Sequence, residues 1–389
     1  MAFPVKWFAS TMRGAPVLSG SAGALLNVLD ACLVTGFGAV SAATVTVTDG
    51  VATAMVSAGS SFDSSVVVTV AGATPAELNG EQRVLPGATS TQIQWATTAA
   101  NGTATGTITI KVAPAGWAKP YTGTNLAAFT PTDVEASGCV LRVDDTGTTN
   151  ARVRVFEAMS DVSNGVGQTP LDVQVSGGLF WGKSGTANAT ARPWFIIADQ
   201  RGLYFVGSTQ GTDRYTIVWA GDISSLKSGD AYGCALTGSS ADPVALTAAP
   251  NGCVAWSGRT DTRDGAYLVR SHTAIGGSIR AQRIGSHQNG SVADGYAGTA
   301  GYSLGTYPNG PNNGLLVGAV ELYALGFRGT LPGLLHPVQD LADAFSTGQL
   351  IDGTDAYAGR KLLALRVGPP SGTVTRGTVF FDIYGPWSR

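Results

Sequence analysis

The stretch TVTVTDGVATAM, from Thr44 to Met55, decides the fold class of this chain. Apolar and polar residues alternate on both sides of Asp49-Gly50, which is the pattern of strands with one buried and one exposed face. An Asp-Gly pair between two such runs is a strong hairpin signal, because both residues tolerate the positive φ angles of the tightest turn. The stretch therefore predicts an antiparallel β-hairpin.

The same alternation recurs through most of the chain, for example in GTITIKV (106–112), LRVDDTGTTNARVRVF (141–156) and WFIIADQRGLYFVG (194–207). The expected fold class is mainly β, with antiparallel sandwich-like or barrel-like domains. We expect an N-terminal segment with one amphipathic helix at 1–43, a small β-domain at 44–113, a linker at 114–120 and a larger β-rich domain at 121–389.

An apolar stripe near the N-terminus predicts the helix of the first segment. Its members recur at helical spacing: Leu25, Val28, Leu29, Cys32 and Leu33. Ser21 is the expected N-cap, and Gly36 is expected to end the helix. The apolar face is expected to pack against the body of the chain or against a neighbouring subunit, so Leu25, Val28, Leu29 and Leu33 are candidate subunit-packing residues.

A second apolar pattern predicts one short helix late in the chain. It consists of Leu334, Leu335, Val338, Leu341, Ala342 and Phe345, with Pro337 near its start.

The composition limits the classes of function. Charged residues make up 13% of the chain, about half the usual share, and the formal net charge is −2. Without a basic run, a dedicated nucleic-acid-binding surface is not expected. The most apolar early stretch, 22–34, contains Asn27 and Asp30, so no membrane span is expected.

Cysteine and histidine positions do not predict a metal or cofactor site. Cys32, Cys139, Cys234 and Cys253 lie far apart, which favours buried free thiols over disulfides. Neither they nor the three histidines, His272, His287 and His336, have the spacing of zinc ligands.

One segment matches a nucleotide-binding pattern. GGLFWGKS, from Gly177 to Ser184, fits G-x-x-x-x-G-K-[ST], and Asp199 ends a following apolar run. A phosphate loop requires a helix after the lysine, but the sequence that follows, GTANATARP, lacks a helical stripe. We therefore interpret the segment as a strand with packed aromatic residues and a turn at Lys183.

Two further sequence features could suggest a metal site or a hydrolase site. In DDTGTTN, Asp144, Asp145 and Asn150 could offer oxygens to calcium, but the segment lacks the calcium-loop frame, and turn chemistry explains it better. The histidines have no supporting motif for hydrolase chemistry, and a carboxylate pair that meets only in the fold stays open. The chain is not expected to be an enzyme.

A long Gly-, Asn- and Tyr-rich segment at 285–314 is the remaining signal. Tyr296, Tyr302 and Tyr307 could stack on sugar rings, anchor a partner subunit, or fill the underside of their own loop. The sequence does not decide between these alternatives.

Several whole segments resemble a family of virion structural proteins of tailed bacteriophages and prophages. They include KWFASTMRGAPVLSGSAGALLNVLDACLVTGFG, FWGKSGTANATARPWFIIADQRGLYF and RGTVFFDIYGPW, and the likeness covers nearly the whole chain. The resemblance implies a virion component made in the bacterial host cytoplasm, with other virion proteins as partners and a homo-oligomeric state in a symmetric assembly.

The resemblance leaves the position in the particle open. It favours a structural part of the tail or baseplate that acts by subunit packing. The alternatives are a module that binds a host-surface glycan or receptor, and a head decoration or neck protein.

Overall fold

The computed structural model describes residues 3–57, 59, 62–242, 264–285, 307–308, 310–339, 341, 344–368 and 377–389. It contains one α-helix, α1 (Ala24–Asp30), within the described residues. The strands, in chain order, are β1 (Lys6–Ala9), β2 (Phe37–Ser41), β3 (Thr44–Thr48), β4 (Val51–Met55), β5 (Val67–Ala71), β6 (Gly80–Arg83), β7 (Gln92–Ala96), β8 (Gly102–Thr103), β9 (Thr109–Val112), β10 (Ala118–Gly123), β11 (Leu126–Thr130), β12 (Val140–Asp144), β13 (Asn150–Phe156), β14 (Ala158–Met159), β15 (Gly165–Val166), β16 (Leu179–Gly182), β17 (Trp194–Ala198), β18 (Gly202–Gly207), β19 (Thr216–Asp222), β20 (Ser224–Ser225), β21 (Cys234–Ser239), β22 (Asp264–Leu268), β23 (Ile279–Arg280), β24 (Gln282–Gly285), β25 (Val317–Tyr323), β26 (Phe327–Pro337), β27 (Leu350–Asp352), β28 (Lys361–Val367) and β29 (Gly377–Asp382).

The predicted hairpin at 44–55 is confirmed. β3 and β4 pair in antiparallel register from Thr44↔Met55 to Thr48↔Val51. Asp49 and Gly50 join them with φ angles of 49° and 77°, as a two-residue hairpin turn of this kind requires. Val45 and Val47 are buried, whereas the threonines of β3 are exposed, so the alternation marks the two faces of the sheet.

Two four-stranded sheets form the first β-rich region. One has the order β2-β9-β5-β6 and the other the order β7-β4-β3-β8. Buried side chains of both sheets, such as Ile110 and Trp95, belong to the same apolar cluster. Strand β2 lies before residue 44 and contributes to the first of these sheets through its pairing with β9.

A large sheet follows, with the order β1-β17-β18-β19-β21-β16-β13-β12-β11-β10, and β22 and β23 extend from β21. The N-terminal strand β1 pairs with β17, so chain segments far apart in sequence meet at this end. Strand β10 begins at Ala118, within the segment predicted to be a linker. The mainly β, antiparallel fold class is confirmed.

The last sheet has the order β24-β25-β26-β29-β28-β27, with β20 paired to β26. The predicted late helix is wrong, because Leu334 and Leu335 lie in β26 and pair with Phe381 and Phe380 of β29. Leu334 faces the main core and Leu335 faces a second, smaller apolar cluster. A strand buried on both faces is apolar at successive positions, and this run also fits helical spacing.

An aromatic group joins the large sheet to the last one. The ring of Tyr204 in β18 lies 4.4 Å from that of Trp219 and 5.0 Å from that of Phe381, measured between centroids. The Tyr204 hydroxyl donates a hydrogen bond of 2.7 Å to the carbonyl of Pro332. The two sheets therefore share one core.

The predicted N-terminal helix is confirmed, although it is shorter and differently capped than expected. α1 continues into one π-helical turn at Ala31–Thr35, and the chain leaves it at Gly36, where φ is 71°. All members of the predicted stripe are buried, including Leu25, Val28, Leu29 and Leu33 at 0% exposure. These side chains pack inside the chain's own core, so they do not form a surface for a neighbouring subunit. No helix in the described part of the chain is long and apolar enough to cross a membrane.

Candidate functional site

The segment that resembles a phosphate loop is an ordinary strand. Leu179, Phe180 and Trp181 lie in β16, where a phosphate loop would curl around its ligand. The indole of Trp181 is buried and donates a 2.7 Å hydrogen bond to the carbonyl of Thr237. Residues 183–193 follow as a loop without helical structure. The interpretation as a strand and turn is therefore confirmed.

Lys183 has a structural partner inside the protein. Its ammonium group forms an ion pair with Asp145, and both side chains are 0% exposed. The same Nζ atom donates a 2.7 Å hydrogen bond to the carbonyl of Ser21. The other carboxylate oxygen of Asp145 accepts hydrogen bonds from the backbone N–H groups of Leu25 and Leu26, at 2.7 and 3.2 Å.

This ion pair replaces the local cap that the sequence predicts for α1. Ser21 makes no side-chain cap, and the N-cap position is Gly23, with φ of 79°. Asp145 instead satisfies two N–H groups that the first turn of a helix leaves without partners. Burial raises the pKa of Asp145 and lowers that of Lys183, while their ion pair opposes both shifts. Lys183 is thus enclosed, and a phosphate group cannot reach it in this conformation.

The carboxylate-rich tip at 144–150 is also used by the fold. Asp144 accepts hydrogen bonds from the N–H and hydroxyl of Thr146, at 3.2 and 2.7 Å, which is the turn chemistry expected there. Asn150 donates to Asp242 at 3.1 Å. No group of three or more potential metal-ligating side chains converges in the described part of the chain.

The described thiols are buried, and two of them, Cys139 and Cys234, lie side by side. Cys32, Cys139 and Cys234 are buried free thiols, as predicted, whereas Cys253 and His287 lie outside the described residues. Burial raises the pKa of Cys32, and the hydrogen bond between Cys234 and Cys139, followed by burial, raises that of Cys234. A raised pKa keeps a thiol protonated and makes it a poor nucleophile. His336 is buried within β26, not at a helix start.

An open groove with a volume of about 760 Å³ lies among the described residues. This is within the range of small-molecule sites, about 300–1,000 Å³. Its floor and walls are apolar: Leu315, Leu316, Val317, Val338, Phe345, Ile351, Tyr307, Tyr357 and Leu362. Its rim is polar: Asn312, Asn313, Asp352, Thr354 and Asp355. We call this feature the rim groove.

Backbone contacts fix both sides of the rim groove. On one side, the buried Gln339 side chain accepts a hydrogen bond from the N–H of Leu316 at 2.6 Å and donates one to the carbonyl of Gly314 at 3.2 Å. On the other side, the loop at 353–357 folds tightly on itself. A Cβ atom at Gly353 would lie 2.2 Å from the carbonyl oxygen of Tyr357, so only glycine permits this turn.

The two tyrosines of the rim groove are partly exposed and rest on the second apolar cluster. The Tyr307 ring lies 5.0 Å from the buried Phe345 ring. Burial, followed by the nearby Asp382 carboxylate, raises the pKa of Tyr357, so its hydroxyl stays protonated at neutral pH. Of the three predicted contact tyrosines, Tyr307 lies here, whereas Tyr296 and Tyr302 lie outside the described residues.

Sequence reasoning missed Tyr357 and the acidic part of the rim. Asp355 and Tyr357 belong to the segment GTDAYAG at 353–359, in which glycines flank a short polar turn. The glycines could have indicated an exposed loop that carries an aromatic residue. Its proximity to Tyr307, 50 residues earlier, arises only from the pairing of β25, β26, β29 and β28.

No protein-family model matches this chain, and no curated protein matches it either.

Proposed function

We propose that this chain is a structural component of a tailed-phage virion, placed in the tail or baseplate, that acts by packing against other subunits. The alternative placement is head decoration or the neck. The segment-wide resemblance described above suggests the virion. The structural observation that carries the packing role is a group of large apolar side chains exposed at one hairpin tip.

This group, the tip patch, consists of Leu226, Leu325 and Phe327, which are 70%, 80% and 40% exposed. Leu325 lies in the turn between β25 and β26, and Phe327 is the first residue of β26. The N–H of Leu226 donates a 3.1 Å hydrogen bond to the carbonyl of Arg328, which places Leu226 beside the same tip. Large apolar side chains exposed near one hairpin tip of a single chain are typical of surfaces that a partner covers.

The use of charged side chains also supports a structural role. Lys183 pairs with Asp145, Arg328 with Asp230, and Arg389 makes two hydrogen bonds, at 2.7 and 3.0 Å, to Asp199. In each pair both side chains are less than a tenth exposed. These charges hold segments of the chain together and are largely closed to solvent, which is a structural use of charge.

The test is incorporation into particles. Phage particles are produced with the wild-type chain, with a Leu325→Ser/Phe327→Ser variant, or with Val173→Ser, and copies per particle are counted by quantitative mass spectrometry. Val173 is 92% exposed and lies outside the tip patch, so it serves as the matched control.

We expect several copies per particle for the wild type and for Val173→Ser, and about tenfold fewer for the patch variant, because subunit contacts lose apolar area. Absence of the wild-type chain from particles would contradict the virion role. Normal incorporation of the patch variant would contradict the packing surface.

The second candidate function is host-surface binding, and the rim groove favours it. Tyr307, which the sequence marked as a possible glycan contact, lines an open groove with a polar rim. Partly exposed aromatic rings beside hydrogen-bonding groups are a common arrangement in ligand sites.

A further inference from the structure

We infer that the rim groove binds a neutral saccharide and discriminates against acidic ones. This inference rests on the second candidate function and names the ligand class of the same site. Three features carry it: the aromatic walls, the identity of the rim groups, and the charge of the rim.

The aromatic walls suit the apolar face of a sugar. One face of a pyranose ring presents C–H groups, which are attracted to the electron-rich face of an aromatic ring. Tyr307 and Tyr357 are both half-buried and line the same groove, while Phe345 supports Tyr307 from below. Because the two rings are already packed against the second apolar cluster, little side-chain entropy is lost when a sugar binds to them.

The rim groups suit hydroxyls. Asp355 and Asn313 are exposed side chains that line the groove. A carboxylate accepts hydrogen bonds from vicinal hydroxyls, and an amide can both accept hydrogen bonds from them and donate hydrogen bonds to them. The tight turn that begins at Gly353 and contains the short helical turn Asp355–Tyr357 presents Asp355 and Tyr357 together. A sugar that stacks on Tyr357 would therefore have a carboxylate acceptor beside it.

The charge of the rim selects against anions. Asp352 and Asp355 both line the groove, and none of the described lining residues is basic. Lys361 forms an ion pair with Asp352 at 2.6 Å. Asp355 has no cation beside it among the lining residues. An acidic sugar would bring a second negative charge next to Asp355, which is unfavourable even at a partly exposed site.

The experiment uses the full chain and saturation-transfer NMR. The neutral probes are glucose, galactose, N-acetylglucosamine and maltotriose, and the acidic probes are glucuronic acid and N-acetylneuraminic acid. Affinity for the best probe is then compared among the wild type, Tyr307→Ala, Asp355→Asn and Tyr323→Ala. Tyr323 is the matched control, because it is also partly exposed and packs on a phenylalanine, Phe327, but lies outside the groove.

We expect transfer from at least one neutral probe and little from the acidic ones. Tyr307→Ala should weaken binding about tenfold, and Asp355→Asn should weaken it while improving binding of acidic probes. Asp355 has φ of 51°, a region that asparagine tolerates, so this variant keeps the turn. Tyr323→Ala should bind like the wild type.

Absence of transfer from every neutral probe would overturn the inference, as would equal or tighter binding of the acidic probes. Equal losses in Tyr307→Ala and Tyr323→Ala would also overturn it, because they would place binding elsewhere. These failures are separate from failure of the virion role. If the chain packs into particles but does not bind sugar, the virion role stands and the saccharide inference fails. If the chain binds sugar but is absent from particles, the saccharide inference stands and the virion role fails.

Discussion

Lys183 and Asp145 form an ion pair that is closed to solvent and sits at the N-terminus of α1. The pair joins three distant parts of the chain: the end of β16, the tip after β12, and the first helix. The lysine that makes the sequence resemble a phosphate loop therefore stabilises the fold by linking these segments.

Loss of this lysine should destabilise the fold strongly. Lys183→Met leaves the Asp145 carboxylate buried without its cation, and an unpaired buried charge costs about 3–5 kcal/mol. The measurement is the free energy of unfolding from urea denaturation.

Lys119→Met is the matched control for this prediction. Lys119 pairs with Asp30 and so also ties a strand to α1, but the two side chains are 29% and 28% exposed. Its loss should cost no more than about 1 kcal/mol. Adding Asp145→Asn to Lys183→Met should recover part of the stability, because it removes the unpaired charge. Equal losses of unfolding free energy in Lys183→Met and Lys119→Met would show that the buried ion pair stabilises the fold no more than the partly exposed one does.

Nucleotide should leave the wild-type chain unaffected. Because Lys183 is enclosed and no helix follows it, magnesium-ATP should not raise the melting temperature, measured by thermal shift. A ligand that binds the native state at 100 times its Kd adds about 2.7 kcal/mol of stability, which a thermal shift would detect. A clear, saturable rise would contradict the structural role of Lys183.

Two glycines with similar φ angles should respond differently to substitution by alanine. Gly333 and Gly348 have φ of 73° and 83°. A Cβ at Gly333 would lie 2.1 Å from the indole nitrogen of Trp387, whereas nothing lies within 4 Å of one at Gly348. Gly348→Ala should lose about 1 kcal/mol from its backbone angle, and Gly333→Ala about 1–3 kcal/mol more from the clash. Unfolding free energies of the two variants test this, and equal losses would contradict the close packing of Trp387.

The Asp230–Arg328 pair should make stability depend on pH. Burial opposes ionisation of Asp230, but Arg328, Ser225 and the N–H of Tyr232 outweigh it and lower its pKa. A carboxyl group with a lowered folded-state pKa stabilises the fold above its unfolded pKa, about 4. That stability is lost as the pH falls through the folded-state value.

Asp230→Asn should therefore be less stable than the wild type at pH 7, by about 3–5 kcal/mol, because Arg328 stays buried. The difference should narrow between pH 5 and pH 3. Denaturation curves across this range provide the measurement, and a constant difference would mean that Asp230 does not titrate as described.

Local sequence patterns predicted the strands well, but they wrongly predicted a second helix where the chain forms β26. The alternation at 44–55 predicted a hairpin, its turn and its buried face, because these depend on neighbouring residues. The apolar residues at 334–345 fit helical spacing because β26 is buried on both faces, so its apolar residues do not alternate with polar ones. The true cap of α1 could not be predicted either, since Asp145 is 120 residues from Leu25 in sequence.

The candidate site was predictable only in part. Tyr307 was recognisable as an aromatic residue in a glycine-rich segment. Its neighbours Phe345, Asp355 and Tyr357 come from other strands and loops, and sheet pairing brings them together. The burial of Leu25, Val28, Leu29 and Leu33 was one of two alternatives, because an apolar stripe does not reveal which surface covers it.

The most direct test of the virion proposal is a cryo-electron-microscopy reconstruction of particles whose genome encodes this chain. We expect density for several symmetry-related copies in the tail or baseplate, with Leu226, Leu325 and Phe327 covered by a neighbouring subunit. Particles that are complete but contain no density for the chain would contradict it.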